Sequence, residues 1–287
     1  MSESANSDDR LVPGTLCACV VILAYDWICT FDQELAYVWS RPFSLGTVIF
    51  ALNRYLPFID IPVAFFAKFM RITPEDCLRR NELVGWMSAF GLCISEGILI
   101  LRTYALWERK RSVLIVLCTM FLMTLVVAFV TTYLELRSLH YSDVQTDGVG
   151  CTLAKAGSVI IFGYLMLLVS ETVIVILTAI KAYRDLRFAR LPWLVQLYRE
   201  GILFYVYIFA ISLANILVPA LAPSRFSNWL ASPQRVLHSV LCTRVLLLIR
   251  RQAVYEDPDL DRGTHDYVQT TRESEVDTRL SFATREW

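Results

Sequence analysis

Seven apolar runs divide the chain: Leu11 to Ile28, Ser44 to Ala67, Leu83 to Leu106, Ser112 to Leu134, Gly157 to Ile180, Gly201 to Ala222 and Trp229 to Ile249. A helix crosses a bilayer core with about 20 predominantly apolar residues, and every run is of that order. Backbone polar groups in hydrocarbon must be satisfied within the protein, and uninterrupted runs do so as helices, whereas a barrel shows ten-residue alternation. The pattern predicts an all-α, seven-transmembrane-helix bundle over residues 11–249, joined by connections too short for a soluble catalytic domain. The first run is the weakest, with Pro13 and Gly14 near its start and Asp26 near its end. It lacks the basic n-region and small-residue cleavage site of a signal peptide, so it is expected to be retained.

Between the first two runs, residues 30–43 carry a second pattern. Thr30 with Gln33 three residues on fits a capping box, and Phe31, Leu35, Val38 and Trp39 recur at helical spacing. This predicts a short helix lying in the membrane interface, or else a connecting loop whose aromatics belong to an interfacial belt. In the third run, Gly85, Ala89, Cys93 and Gly97 form a small-residue stripe of the kind that lets helices approach closely.

Composition sharpens the class. Hydrophobic residues make up 56% of 287 and charged residues 19%, with a mean hydropathy of +0.49, too apolar for an ordinary soluble domain. Lys and Arg number 27 against 27 Asp and Glu, so no basic field points to nucleic acid, and the lipid bilayer is the first partner. Loop charges set orientation. One side collects Arg41, Arg109, Lys110, Arg111, Lys181, Arg184, Arg187, Arg190, Arg199, Arg250, Arg251 and Arg262; the other has Arg10, Lys68, Arg71, Arg79, Arg80, Arg137, Lys155 and Arg225. The bias favours an extracellular N-terminal tail, residues 1–10, and a cytoplasmic C-terminus, in a plasma or other secretory-pathway membrane. Residues 250–287 have too few apolar side chains to fold alone and are expected as a disordered cytoplasmic tail. Its Thr264, Thr270, Thr271, Ser274, Thr278, Ser281 and Thr284 offer phosphate acceptors.

Ionisable residues inside the runs are the candidate chemistry. Arg54, Glu96, Glu171 and Arg244 fall near mid-depth at 1.5 Å of rise per residue. Asp60, His238 and Arg235 lie farther from the centre. Such groups mark a ligand or ion site, or serve as polar glue between helices. Arg54 is expected to pair with Glu96, with Glu171 as the competing partner. Enzymatic readings have less behind them. The three histidines, His140, His238 and His265, fall in a loop, a span and the tail, and neither H-E-x-x-H nor G-x-S-x-G occurs. The expectation is a protein with no cofactor, metal site or catalytic residues, an intramembrane hydrolase on Glu96 or Glu171 being the enzymatic alternative.

The stretch Asp26-Trp27-Ile28-Cys29-Thr30-Phe31-Asp32-Gln33-Glu34, continued by Trp39-Ser40-Arg41-Pro42-Phe43 and Asn53-Arg54-Tyr55-Leu56-Pro57-Phe58, resembles the N-terminal signature of a family of multispanning membrane proteins from mushroom-forming fungi, classed as a domain of unknown function. That family brings no established activity with it. The seven-helix layout, the basic and aromatic end of the third run (Leu101 to Arg109), the basic fifth loop and the Ser/Thr-rich tail also look like a seven-helix receptor, by architecture alone. The Asp-Arg-Tyr triplet, the Asn-Pro-x-x-Tyr motif and a retinal-bearing Lys are absent. Of eight cysteines, Cys17, Cys19, Cys93, Cys118 and Cys242 lie in spans and Cys29 in the proposed cytoplasmic hinge. Cys77 and Cys151 remain, both on the expected oxidising face. Seven-helix receptors commonly join these two locations, so a Cys77–Cys151 disulfide is expected, pinning the loop from Glu135 to Ala156. The functional expectation is a receptor-like or signalling-associated bundle with a small ligand and a cytoplasmic signalling partner. A small-solute or ion transporter is the alternative, although the two halves show no internal repeat.

Overall fold

The computed structural model describes residues 2–40, 42–69, 74–141, 153–155, 159–188, 192–221, 226 and 228–256. The helices are α1 (Ser2–Glu34), α2 (Leu45–Tyr55), α3 (Pro57–Phe69), α4 (Pro74–Leu106), α5 (Arg111–Ser138), α6 (Ile160–Phe188), α7 (Pro192–Leu221) and α8 (Ala231–Glu256). Helices α2 and α3 form one traverse. Pro57 supplies no N–H and biases Leu56 away from helix, yet the interruption is a single residue, and the Asp60 N–H donates to Leu56 C=O at 3.1 Å. The described chain is thus a bundle of seven helical traverses. Five of them are long and apolar enough to cross a membrane, which makes this a multi-pass membrane protein. Beyond the helices, the described residues hold one antiparallel pair, β1 (His140–Tyr141) with β2 (Leu153–Lys155).

The observed helices overrun the apolar runs. At 1.5 Å per residue the 33 residues of α1 or α4 reach about 50 Å, well past a hydrocarbon core. Residues 2–10, expected as a tail, are the first turns of α1, and α8 continues to Glu256, seven residues into the segment expected as a disordered tail. The remainder of that tail, with its Ser and Thr acceptors, lies outside the described residues.

A clearer departure falls at residues 30–39, where no separate interfacial helix forms. Helix α1 runs through them and ends in a π-turn, Leu35–Trp39, closed by the Ser40 N–H on Leu35 C=O at 3.1 Å. Thr30 is not a cap; its hydroxyl donates back to Asp26 C=O at 2.7 Å, the i−4 bond open to a Thr inside a helix. The cause is tertiary. Asp26, Thr30 and Glu34 lie four residues apart on one face, all buried, and that face meets Arg54 of α2.

Burial is inverted relative to a soluble protein. Val21, Ile28, Ile115, Leu122 and Phe162 are among the many exposed large apolar side chains, while Glu34, Asn53, Asp60, Gln234, Arg235 and His238 are all 0% exposed. Helix α4 is central, packed against α2, α3, α5, α6 and α8. A dry cluster of Ile98, Leu99, Ile100, Leu117, Ile174, Ile208 and Leu241 joins α4, α5, α6, α7 and α8. Near one end of the bundle Trp107 donates to Leu177 C=O at 3.2 Å, and Lys181 pairs with Glu108 at 2.7 Å. The other end carries Cys77, the β-pair, and Trp229, whose indole donates to Thr15 Oγ1 at 2.8 Å.

Candidate functional site

Helix α8 supplies the bundle with its polar interior. Gln234, Arg235, His238, Ser239 and Thr243 recur at spacings of three and four, so they share one broad face, and all are 1% exposed or less. That face explains why α8 is not among the apolar spans. Asn53 of α2 docks on it, donating to Ser239 C=O at 3.1 Å and receiving the Ser95 hydroxyl of α4 at 2.7 Å, while the Ser239 hydroxyl donates to Asn53 C=O at 2.6 Å. Three helices are stitched there without a net charge.

The next residue of α2, Arg54, is 1% exposed and donates to Asp26, to Thr30 Oγ1, and through Nε to Glu34 Oε1 at 2.7 Å. Tyr55 donates to the second Glu34 oxygen at 2.9 Å, and Arg244 of α8 approaches the second Asp26 oxygen at 2.6 Å. A buried guanidinium is costly unless its charge and its donors are met. Here two carboxylates and a hydroxyl from one helix face do both. The expected Arg54–Glu96 pair, and its Glu171 competitor, are therefore not formed: α1 lies beside Arg54 and supplies both acids.

Glu96, next to Ser95 on α4, belongs to a second group. Ser170 of α6 donates to one of its oxygens, and the other has no hydrogen-bond partner. On the adjoining α6–α7–α8 surfaces, Asn215 donates to Gln234 at 2.7 Å, Gln234 to Ser212 at 2.9 Å, and Ser212 to Glu171 at 2.9 Å. His238 Nε2 stands 3.1 Å from the same Glu171 oxygen, and Arg235 Nε 3.4 Å from Asp60, both off the angle of a hydrogen bond; the second contact is an ion pair, the first one only where His238 is protonated. The Arg235 guanidinium presses on α4 at Gly91, where a Cβ would overlap it.

Beside Glu96 a cavity of about 230 Å³ opens chiefly between α4, α5 and α6, its lining completed by Leu16 of α1, Ala64 of α3 and Ala231 at the start of α8. It runs from Glu96 past Cys93, Ala89 and Gly85 to the level of Asn81, Glu135 and Asn228 at the Cys77 end. The small-residue stripe of α4 does not serve close packing along its whole length. Gly85 admits Leu136 and Gly97 faces Phe121, both of α5, but Gly85, Ala89 and Cys93 also line the void, whose volume depends on their small size.

The sequence-derived candidates thus divide. Glu96 lines the cavity, with Glu171 and His238 paired nearby; Asp60 pairs with Arg235; Arg54 and Arg244 belong to the Asp26 cluster toward the Trp107 end. Asp26, Glu34 and the cavity residues Thr124 and Glu135 were missed as site residues. The four-residue spacing of Asp26, Thr30 and Glu34 was the available signal, masked by reading a helix start at Thr30. Cys77 is disulfide-bonded, whereas Cys17, Cys19, Cys29, Cys93, Cys118 and Cys242 are free. Cys151 lies outside the described residues. Among known proteins, no curated sequence matches this chain. Residues 15–59 match a family of unknown function, DUF6533. That segment contains Asp26, Thr30, Glu34 and Arg54, and so encodes all of the charge cluster except Arg244 within the first two traverses of a multi-helix membrane protein.

Proposed function

We propose that the protein is a receptor-like, signalling-associated seven-helix bundle, with the cavity beside Glu96 as its ligand site. The observation that carries this reading is the cavity itself: it is enclosed by several helices of one bundle, chiefly α4, α5 and α6, and its floor abuts the polar contacts that join α4 to α6 and α8. A ligand seated there would bias helices whose far ends carry Trp107, Glu108 and Lys181, and a binding-driven change needs just such a differential contact with two arrangements. In this reading the Cys77 end faces outside, the Trp107 end faces the cytoplasm, the membrane is the plasma membrane or another of the secretory pathway, and the partner is a cytoplasmic signalling protein. The protein does no chemistry on its ligand. A fungal source accords with the resemblance of residues 26–58.

Small-solute or ion transport is the second reading, favoured by the buried charges that continue past the cavity floor through His238, Glu171 and the Arg54 cluster. One experiment separates the two. Proteoliposomes of a receptor stay as tight to protons, ions and small solutes as protein-free vesicles, while in cells its Trp107 end recruits a signalling partner whose capture changes when Ala89→Phe fills the cavity. Uptake through the protein, with capture indifferent to Ala89→Phe, would replace the receptor by the transporter.

A further inference from the structure

Six carboxylates are buried among the described side chains: Asp26, Glu34, Asp60, Glu96, Glu135 and Glu171. Four face a cation or a histidine: Asp26 and Glu34 meet Arg54, Asp60 meets Arg235, and Glu171 meets His238. The two that face neither a cation nor a histidine, Glu96 and Glu135, both line the cavity. Burying a carboxylate with no counter-charge is among the costliest arrangements in a protein. That both of these acids border one void requires a reason.

The wall between them is apolar, with Phe121, Leu125, Leu136 and Leu167. Leu136, beside Glu135, packs at Gly85, and Gly85 to Glu96 is about 16 Å of helix at 1.5 Å per residue. At the inner end, one Glu96 oxygen and the Thr124 hydroxyl, both buried, have no hydrogen-bond partner, and both groups line the cavity. An ammonium group has three donors and one positive charge. It would satisfy Glu96 and Thr124 together, and its stem would lie along the apolar wall.

We propose that the cavity binds an amphipathic organic amine, its ammonium seated on Glu96 and Thr124 and its apolar body extending toward Glu135. Glu135, on the same void, adds to the negative potential that draws a cation inward. This inference rests on the cavity being a ligand site, and not on what binding triggers.

The test is equilibrium binding to the full-length protein in nanodiscs of uncharged lipid, with three probes of one shape: 4-phenylbutylamine, 4-phenylbutan-1-ol and 4-phenylbutyrate. Saturable binding of the amine is expected at least about tenfold tighter than of the alcohol, as a charge-assisted hydrogen bond implies, with the carboxylate weakest. Glu96→Gln should erase the preference of amine over alcohol, and Thr124→Val should reduce it. Equal binding of amine and alcohol to the unmodified protein would overturn the amine assignment without any variant having to fold, and would leave the cavity as a ligand site. Saturable binding of none of the three would overturn it too. Amine binding with no recruitment at the Trp107 end would sink the receptor reading alone.

Discussion

Arg54 reaches three side chains of α1, and the consequences of removing it follow from their burial. Arg54→Met leaves Asp26 and Glu34 without their main counter-charge, and breaking a buried pair costs about 3 to 5 kcal/mol. A lower unfolding temperature in detergent is expected. The double change with Glu34→Gln should be less damaging than the sum of the two singles, because each single strands the other partner. Arg54→Met with Glu96→Gln should be additive, since the two residues have no shared partner; coupling between them would contradict the geometry. Gly91 offers a second residue-scale check. A methyl group there meets the Arg235 guanidinium, so Gly91→Ala is expected to lose about 1 to 3 kcal/mol as an overpacked site. Gly14, with nothing near its Cβ position, should accept Ala with little effect, and equal losses at the two positions would refute the close approach.

At the scale of the element, α1 earns its length from register. Asp26, Thr30 and Glu34 point one way only while the helix runs unbroken, and the π-turn that follows lets Val38 become fully buried. One Ala inserted after Asp32 turns everything beyond it by about 100° at 3.6 residues per turn. Glu34 then leaves Arg54, and a marked drop in unfolding temperature or yield is expected. The same insertion in the 40–44 connection should be tolerated. Similar damage from both insertions would mean that α1 ends before Glu34. Helix α8 is the complementary case: its run Trp229 to Ile249 is more polar than the five apolar spans, and much of that polarity is met inside the bundle, Ser239 by Asn53 of α2 and Gln234 by Ser212 and Asn215 of α7.

For the whole molecule, seven helical traverses predict chain termini on opposite faces of the membrane. A tag at residue 1 should be reached from outside intact cells and one at residue 287 only after permeabilisation. Both tags on one side would remove a traverse, and α1, with Pro13 and three buried polar residues, would be the one in question. Cys77 adds a covalent marker to the same face. Non-reducing peptide mapping of protein made through the secretory pathway should recover Cys77 linked to Cys151. A free Cys151 thiol would sink the pairing and weaken the outside assignment of that end, because disulfides persist on the oxidising side.

The sequence by itself determined that the chain is a helical membrane bundle of seven helical traverses, and that Arg54, Asp60, Glu96, Glu171, Arg235 and His238 are inside it. These properties are local, since twenty apolar residues in hydrocarbon must form a helix whatever stands beside them. It did not determine which charge meets which. Arg54 had acids on four other traverses to choose from, and only the lateral placement and rotation of α1 decided for Asp26 and Glu34 over Glu96. The same reason hid the cavity. Gly85, Ala89 and Cys93 read equally well as a close-packing stripe or as the wall of a void, and the choice lay with how closely α5 and α6 approach α4, a distance set by side chains on all three helices.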